Sequence, residues 1–448
     1  MFSHVRSGRD LLHPHHDSGI PDDPTPADQA IYVPSVSPNY SMDVAAAIEK
    51  GGWKRPLSAG ITPREMSFLG TDTKKEFTLS HALYSAGQAL DKHGPCMIRD
   101  RKPGFSRVIG DSGGFQIANQ KEGEERINGY RDRERILRWL ENVADIAMTL
   151  DIPPGPVGRS QNFRYTHVDH CLTETLDHLT FFRDNRRNTD LKLLNVLQGN
   201  DLTHGLHWYD QVKRFQFEGY AIAGLCRNDM WYVCNLLIRM LDEGKLQTAE
   251  WLHVLGTARL DTAVMLTAIQ RALAAQGLKV RISYDTASPS LMMARNRAYT
   301  FPQFGAKRMV YTAVPAPKGA RYYDSKALWP WPSPIGNRML MGDLCVEETT
   351  GHRNDSQRDA LGNHLLTLHN LQSVCFAVNT ANRVMDTELI SGQHSVGEIE
   401  GKAVVAIQEI FKAGTVDAIH RHRDTFMELR GTAGDGLEDF SEEELRNP

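Results

Sequence analysis

The sequence predicts an α/β protein folded as a (β/α)₈ barrel, with a doubly wound open sheet as the alternative. Eight short, mainly apolar segments alternate with helical patterns, as expected for buried strands of a parallel sheet. In addition, polar residues follow the carboxyl ends of several segments, on the face where barrel enzymes carry their active sites. These residues are Asp111, Asp151, Gln198 and Asp285.

The predicted strands are bounded by polar or glycine residues. In chain order they are Ile31–Val33, Pro56–Thr62, Arg107–Asp111, Ile146–Asp151, Leu193–Gln198, Tyr220–Leu225, Trp251–Gly256 and Val280–Asp285. Between them, apolar residues at helical spacing predict helices over Ile136–Ala147 and Val168–Leu179. A run of good helix formers, Leu260–Gln276, stops at Gly277 and predicts a third helix.

The chain divides into three predicted parts. Residues 1–28 have no apolar core and are expected to be flexible. Residues 29–390 form the predicted barrel, with a helical insert region at 301–355 that begins in a stretch rich in Pro and Trp. A long helix is predicted over Ser356–Met385. Residues 391–448 are a predicted helical extension, with two helices within 395–431 and an acidic tail.

Composition excludes several classes of protein. No run of about 18 apolar residues is present, so no membrane span is expected. The N-terminus lacks the apolar core of a secretory signal. Six scattered cysteines without a CxxC pair favour free thiols and a cytoplasmic location. With a net charge of −4, any nucleic acid would have to bind a local basic patch.

The segment Arg107–Gln116, reading RVIGDSGGFQ, places an acid at a strand end, followed by bare glycine backbone and a ring. This arrangement suits a planar polar ligand. The string DSGGFQ resembles the signature of the tRNA-guanine transglycosylase family, which exchanges guanine in nucleic acid for a 7-deazaguanine. Five further segments resemble family motifs in the same order, within residues 30–385. They are DIAMTLD (145–151), NVLQGN (195–200), GYAIAGL (219–225), HVLGT (253–257) and SYDTASPSLMMARNRAYT (283–300).

The resemblance implies base exchange through a covalent sugar–enzyme intermediate, without a cofactor for the chemistry. By position, Asp285 is the expected nucleophile and Asp111 the expected acid and base. Two carboxyl groups suit this reaction, because one can attack an oxocarbenium-like carbon while the other moves the proton. The residues expected around the base are Ser112, Gly113, Gly114, Phe115, Asp151, Gln198, Gly224, Leu225 and His253.

The family's structural zinc site is only partly matched. The tRNA enzymes carry a CxCxxC cluster and a histidine in an LLTxHN motif. Here LLTLHN (365–370) supplies His369, but Cys345 is the sole cysteine upstream in that region. A structural zinc normally has four ligands. An altered site formed by Cys345, His352 and His369, with Asp343 as a further ligand, is one expectation, and loss of the site is the other.

The segment after Asp285 reads DTASP and, together with PLSAGIT (56–62), resembles the branch that inserts 7-cyano-7-deazaguanine into DNA. This implies DNA and a free 7-deazaguanine base as partners, and a homodimer or other DNA-modification proteins as possible further partners. Alternatives are the same reaction on tRNA, a barrel glycoside hydrolase and a non-catalytic partner subunit. Phosphate contacts are expected from Arg159, Arg227, Arg295 and Arg297.

Overall fold

The computed structural model describes residues 26–69, 76–101, 104–118, 128–158, 163–345, 358–392 and 395–431. Eight parallel strands form one sheet, in which strands adjacent in sequence are adjacent in space and the last pairs with the first. They are β1 (Ile31–Pro34), β2 (His81–Ser85), β3 (Arg107–Asp111), β4 (Ile146–Met148), β5 (Lys192–Leu197), β6 (Gly219–Ile222), β7 (Trp251–Val254) and β8 (Arg281–Thr286).

The sheet curls into a barrel. Past the end of β1, Ser35 forms a parallel bridge with Leu83 of β2. The amide of Val36 then donates to the Leu83 carbonyl at 2.9 Å. With helices between the strands, this architecture confirms the predicted (β/α)₈ barrel.

One predicted strand is wrong. Pro56–Thr62 contains a single 3₁₀ turn at Ser58–Gly60, because Ala59 (φ 52°) and Gly60 (φ 63°) both adopt left-handed backbone that reverses the chain. The barrel instead takes its second strand from His81–Ser85, which the sequence analysis missed. The other seven predicted strands coincide with observed ones, although several end earlier than predicted.

Helices cover the outside of the barrel. Up to the end of the barrel they are α1 (Pro38–Glu49), α2 (Pro63–Met66), α3 (Ala86–Ala89), α4 (Gly114–Ala118), α5 (Gly129–Val143), α6 (Val168–Asn185), α7 (Leu202–Val212), α8 (Met230–Asp242), α9 (Lys245–Thr248), α10 (Leu260–Ala275) and α11 (Ser288–Ala294). The helices predicted before and after the fourth strand and at Leu260 are confirmed. The first ends at Val143 rather than Ala147, because Asp145 already hydrogen-bonds to Val108 of β3.

The barrel has an inner and an outer apolar layer. Alternate residues of each strand point inward, as closure requires. The inner layer comprises Ile31, Val33, Leu83, Ile109, Ile146, Met148, Leu194, Val196, Ala221, Ala223 and Trp251. The outer layer joins the sheet to its helices. Two polar side chains, His253 and Ser283, are fully buried on the same inward-facing alternation of β7 and β8.

The insert after α11 was expected to be helical, but it contains two antiparallel strand pairs and, up to residue 345, one α-helix of four residues. The elements after α11 are β9 (Arg297–Tyr299), β10 (Gln303–Phe304), β11 (Met309–Val310), β12 (Ala313–Pro315), α12 (Met341–Leu344), α13 (Ala360–Ser391), α14 (Glu398–Ala413), α15 (Val416–Arg421) and α16 (Arg423–Gly431). The long predicted helix is therefore observed as α13, and three helices replace the two expected over 395–431. Residues 1–25 and the acidic tail lie outside the described residues.

Side chains between residues 43 and 65 pair with side chains of α13 and of the segments that precede it. Arg55 binds Asp359 through two hydrogen bonds of 2.8 and 3.0 Å. His364 Nε2 lies 2.8 Å from Asp43 Oδ2, and Arg338 pairs with Glu65. At the other end of the chain, α14 packs on α10.

Over the described ranges, no helix combines the length and apolarity needed to cross a membrane.

Candidate active site

Three carboxyl groups meet at the carboxyl end of the barrel. Burial raises the pKa of Asp111, and the negative charge of Asp285 raises it further. Burial raises the pKa of Asp151 to about 7, and there the charge of Asp111 adds to the effect. Asp111 and Asp285 lie near the carboxyl ends of β3 and β8, and Asp151 follows β4, so all three belong to the same end of the barrel. Asp111 is the acid whose charge interacts with both of the others.

The two oxygens of Asp285 have different surroundings. Asp285 is the penultimate residue of β8 and is 5% exposed. Oδ1 accepts a hydrogen bond from the amide of Gly256 at 2.8 Å and lies 3.2 Å from His253 Nε2. Oδ2 accepts no hydrogen bond from any residue that the structure describes. One oxygen is thus fixed by the protein while the other is available to a ligand.

Asp111 is held by a residue that the sequence analysis did not identify. Ser85, at the end of β2, stands opposite Asp111 in the strand register. Its hydroxyl donates to Asp111 Oδ2 at 2.6 Å, and the amide of Gly113 donates to Oδ1 at 3.2 Å. Both bonds favour the ionised carboxylate and oppose the effect of burial. The carboxyl group is thereby oriented while its pKa stays raised.

Asp151 and Gln198 form a buried polar pair. Gln198 Nε2 donates to Asp151 Oδ2 at 2.7 Å. Gln198 Oε1 is buried and has no hydrogen-bond partner among the described residues. Gly114 makes room for this pair, since a Cβ there would lie 2.8 Å from Asp151 Oδ1 and 2.4 Å from its carbonyl oxygen. A carboxyl and an amide therefore lie beside bare backbone.

The loop after β3 is shaped by glycine. Gly113 has φ 86°, and a Cβ on it would lie 2.6 Å from the amide nitrogen of Gly87. Ser112 is fully buried, and its hydroxyl donates to the Thr149 carbonyl at 3.2 Å, so it ties the loop to the end of β4. Phe115, in α4, is half-buried next to these residues in sequence.

The loop after β6 supplies the remaining backbone contacts and one cation. Gly224 has φ 79°, and a Cβ there would lie 2.6 Å from the Gly199 carbonyl oxygen. Leu225 follows in a short 3₁₀ turn. Arg227 Nη1 donates to the Gly224 carbonyl at 2.8 Å, and its Nε would lie 3.6 Å from a Cβ on Gly256. Arg227 therefore lies beside Gly256, whose amide contacts Asp285.

Two other arginines expected to bind phosphate, Arg295 and Arg297, follow the last barrel strand. Arg295 is exposed at the end of α11. Arg297 begins β9, is half-buried and donates to the Ala313 carbonyl at 2.8 Å. Arg159 lies outside the described residues. Of the three described arginines, Arg227 is the one placed beside Gly256, the glycine that donates to Asp285.

The described residues of the expected zinc site are engaged with the protein. The Cys345 thiol donates to the Pro317 carbonyl at 3.2 Å. Both ring nitrogens of His369 are hydrogen-bonded, to Ser333 Oγ and to the Tyr299 carbonyl, each at 2.9 Å. Burial lowers the pKa of His369 to about 4.

Asp343 also has protein partners. Its carboxylate accepts hydrogen bonds from the amides of Ser58 and Leu340 at 2.9 and 2.8 Å. His352 lies outside the described residues. Within those residues, no group of three or more His, Cys, Asp or Glu side chains is arranged to hold a metal.

Comparison with known proteins adds little. No protein-family profile matches the chain, and no curated protein matches it in sequence. One similar solved structure is titled as the crystal structure of AP endonuclease, family 2, from Brucella melitensis. It is 8% identical and covers 58% of this chain and 92% of its own, with a TM-score of 0.30. A likeness this weak carries no argument about function.

Proposed function

We propose that this protein is a transglycosylase that replaces guanine in DNA with 7-cyano-7-deazaguanine through a covalent Asp285–sugar intermediate. The observation that carries the proposal is the meeting of Asp111, Asp151 and Asp285 at one barrel mouth, each in a different environment. The ordered motifs that resemble the tRNA-guanine transglycosylases support the same chemistry. The protein would require no cofactor for this reaction.

In the first step, Oδ2 of Asp285 attacks C1′ of the target nucleotide as the C1′–N9 bond breaks. The bonding electrons leave on N9, and Asp111 donates the proton that neutralises the departing guanine. A carboxyl group whose pKa is raised by burial suits this proton transfer, while the hydrogen-bonded carboxylate of Asp285 suits nucleophilic attack.

In the second step, Asp111 takes the N9 proton of the incoming base, N9 attacks C1′, and the bond to Asp285 breaks. Two inversions at C1′ retain the configuration of the sugar. The enzyme then returns to its starting protonation state, so the exchange consumes no co-reactant.

Base selection is assigned to the buried polar pair. The Asp151 carboxylate would accept the N1–H and the exocyclic amine of guanine. The second N–H of the Gln198 amide, whose first is bonded to Asp151, would donate to the base carbonyl. Ala223 and Gly224 have little or no side chain, which would leave space for the 7-cyano group. Arg227 would hold a phosphate of the extruded nucleotide.

We place this reaction in the cytoplasm, where cysteines such as Cys96, Cys171, Cys234, Cys345 and Cys375, all buried and unpaired, would remain reduced. DNA and the free base are the proposed partners. DNA is preferred to tRNA because the chain resembles the DNA branch in the segments around Pro56 and Asp285. The arrangement of acids itself serves either nucleic acid.

The test is incorporation of labelled 7-cyano-7-deazaguanine by the purified protein into duplex DNA or bulk tRNA. Label in DNA that is lost in Asp285→Ala supports the proposal. Label entering tRNA alone would overturn the choice of DNA. No label in either nucleic acid, or full activity of Asp285→Ala, would overturn the mechanism.

A further inference from the structure

A chain of buried polar side chains lies beneath Asp285 inside the barrel. Trp251 Nε1 donates to Ser283 Oγ at 2.7 Å, and the same oxygen lies 2.7 Å from His253 Nδ1. His253 Nε2 in turn lies 3.2 Å from Asp285 Oδ1. Ser283 and His253 are 0% exposed. Polar groups in such an interior are stable only when their hydrogen bonds are satisfied.

The chemistry of these groups favours one direction for each hydrogen bond. An indole N–H can only donate, so Ser283 Oγ is the acceptor of the Trp251 bond. The hydroxyl hydrogen of Ser283 finds an acceptor if it is directed to His253 Nδ1, which must then be unprotonated. A neutral imidazole with a bare Nδ1 carries its hydrogen on Nε2. That hydrogen points to Asp285 Oδ1.

The opposite arrangement satisfies fewer groups. If Nδ1 carried a hydrogen, Ser283 Oγ would accept from both Trp251 and His253. The hydroxyl hydrogen of Ser283 would then have no acceptor on either of these two side chains. Loss of a buried hydrogen bond costs about 1–3 kcal/mol. The favoured protonation pattern is therefore one in which Trp251 donates to Ser283, Ser283 donates to His253, and His253 donates to the Asp285 carboxylate.

We propose that His253 is a positioning residue for the proposed reaction: its Nε2–H, together with the amide of Gly256, holds Oδ1 of Asp285 so that Oδ2 faces the sugar. Ser283 and Trp251 act through His253 by fixing its tautomer. The inference rests on the proposed function. His253 was expected among the residues that surround the base, but the structure places its side chain fully buried beside Asp285.

Other charged and titratable groups near Asp285 must be considered in any test that varies pH. Asp111 on β3 is close enough for the two charges to interact, and Tyr32 on β1 also senses the charge of Asp285. The Arg227 guanidinium lies near Gly256, whose amide donates to Asp285. His253 itself lowers the pKa of Asp111, and two neutral amide substitutions at this position remove that effect alike, so a difference between them reports on the hydrogen bond to Asp285.

The matched variants are His253→Gln and His253→Asn. The amide nitrogen of Gln reaches about as far as Nε2, whereas that of Asn reaches only as far as Nδ1. We expect His253→Gln to keep kcat for base exchange within about tenfold of wild type and His253→Asn to lower it about 100-fold, the usual effect of losing a donor to a reacting group. KM for the free base should change little in either variant, because neither removes a contact with the base.

The pH dependence provides a second readout. A hydrogen bond to the ionised form lowers the pKa of a carboxylate, so its loss raises that pKa. The acid limb of kcat/KM should therefore move to higher pH in His253→Asn and less so in His253→Gln. Ser283→Ala should shift it in the same direction. Equal kcat and equal acid limbs in folded Gln and Asn variants would overturn the inference.

A measurement independent of activity separates this inference from the proposed function. In protein labelled with ¹⁵N-histidine, the His253 resonances, assigned by their loss in His253→Asn, should show hydrogen on Nε2 and none on Nδ1. A ring protonated on Nδ1 would overturn the inference even if exchange occurs. A wild-type protein that exchanges no base would instead overturn the proposed function, whatever the tautomer.

Discussion

At the scale of single residues, the proposed recognition role of Asp151 comes with a cost in stability. Burial raises its pKa from the ordinary 3.8 to about 7, the charge of Asp111 adds to the rise, and the bond from Gln198 opposes it. The folded state therefore prefers the protonated carboxyl more than the unfolded state does. It follows that stability decreases as the pH rises from about 4 to about 7, and that the full penalty applies above this window.

Replacing Asp151 with Asn removes this ionisation and keeps an oxygen for the Gln198 amide. We expect the free energy of unfolding at pH 8 to increase by about 2 kcal/mol, since each pKa unit corresponds to about 1.4 kcal/mol and buried shifts are only partly realised. Near pH 4 the change should be close to zero. Urea unfolding of both proteins at the two pH values measures it. An equal effect at both pH values would contradict the assigned cause.

At the scale of elements, a strand is easy to predict from the sequence when its residues are mainly apolar. It is hard to predict when polar residues at its ends contact the acids or the barrel interior. β3 and β8 were predicted because apolar residues precede Asp111 and Asp285. β2 (HALYS) was missed because it begins and ends with buried polar residues. His81 packs near the Trp251 ring, with centroids 5.9 Å apart, and Ser85 binds Asp111.

The same limit explains the incorrect strand and the unrecognised partners of the acids. Leu57 and Ile61 are apolar and buried, yet they flank a turn set by left-handed backbone at Ala59 and Gly60. The roles of Ser85 and Ser283 depend on which residues stand opposite one another in neighbouring strands, and no local pattern encodes that register. The positions of Asp111 and Asp285 near strand ends could be predicted, whereas the groups that hydrogen-bond to them could not.

The loop after β3 offers a test at this scale. In Gly113→Ala, the new Cβ would meet Gly87 at 2.6 Å in a backbone conformation that alanine rarely adopts. We expect a loss of about 2–3 kcal/mol of stability and at least a tenfold loss of base exchange, because the Gly113 amide also holds Asp111.

Gly277→Ala is the matched control for this substitution. Its φ is 80°, similar to that of Gly113, but open space surrounds the site of the added Cβ. It should lose about 1 kcal/mol of stability and retain exchange activity. Thermal unfolding and the incorporation assay compare the two variants. Activity of Gly113→Ala within about threefold of wild type would show that the loop does not need this conformation.

At the scale of the whole molecule, the C-terminal helices share a core with the barrel. Apolar residues of α14, including Ile407, Ile410 and Phe411, are buried. The Phe411 carbonyl accepts a hydrogen bond from Gln276 at the end of α10, and Glu400 of α14 accepts one from the Met309 amide. The barrel's outer layer on this side therefore depends on residues far from the proposed active site.

Truncation after Gly392 should consequently leave a contiguous apolar surface on α10 and yield protein that aggregates or melts at least about 10 °C lower. Truncation after Gly431 removes none of the described contacts and should leave the melting temperature within about 2 °C. Solubility and thermal unfolding of the two truncated chains decide the matter. Comparable melting temperatures for both would mean that α14 contributes little to the barrel.

The side-chain contacts that join Arg55 to Asp359 and Asp43 to His364 connect residues 304 and 321 positions apart. A ribosome needs roughly 15–60 s to add 300 residues at ordinary rates of synthesis. Throughout that interval, Asp43 in α1 and Arg55 in the loop after α1 lack the partners that they contact in the folded protein. Protection by chaperones during translation is thus expected to affect the yield of this protein more than its final stability does.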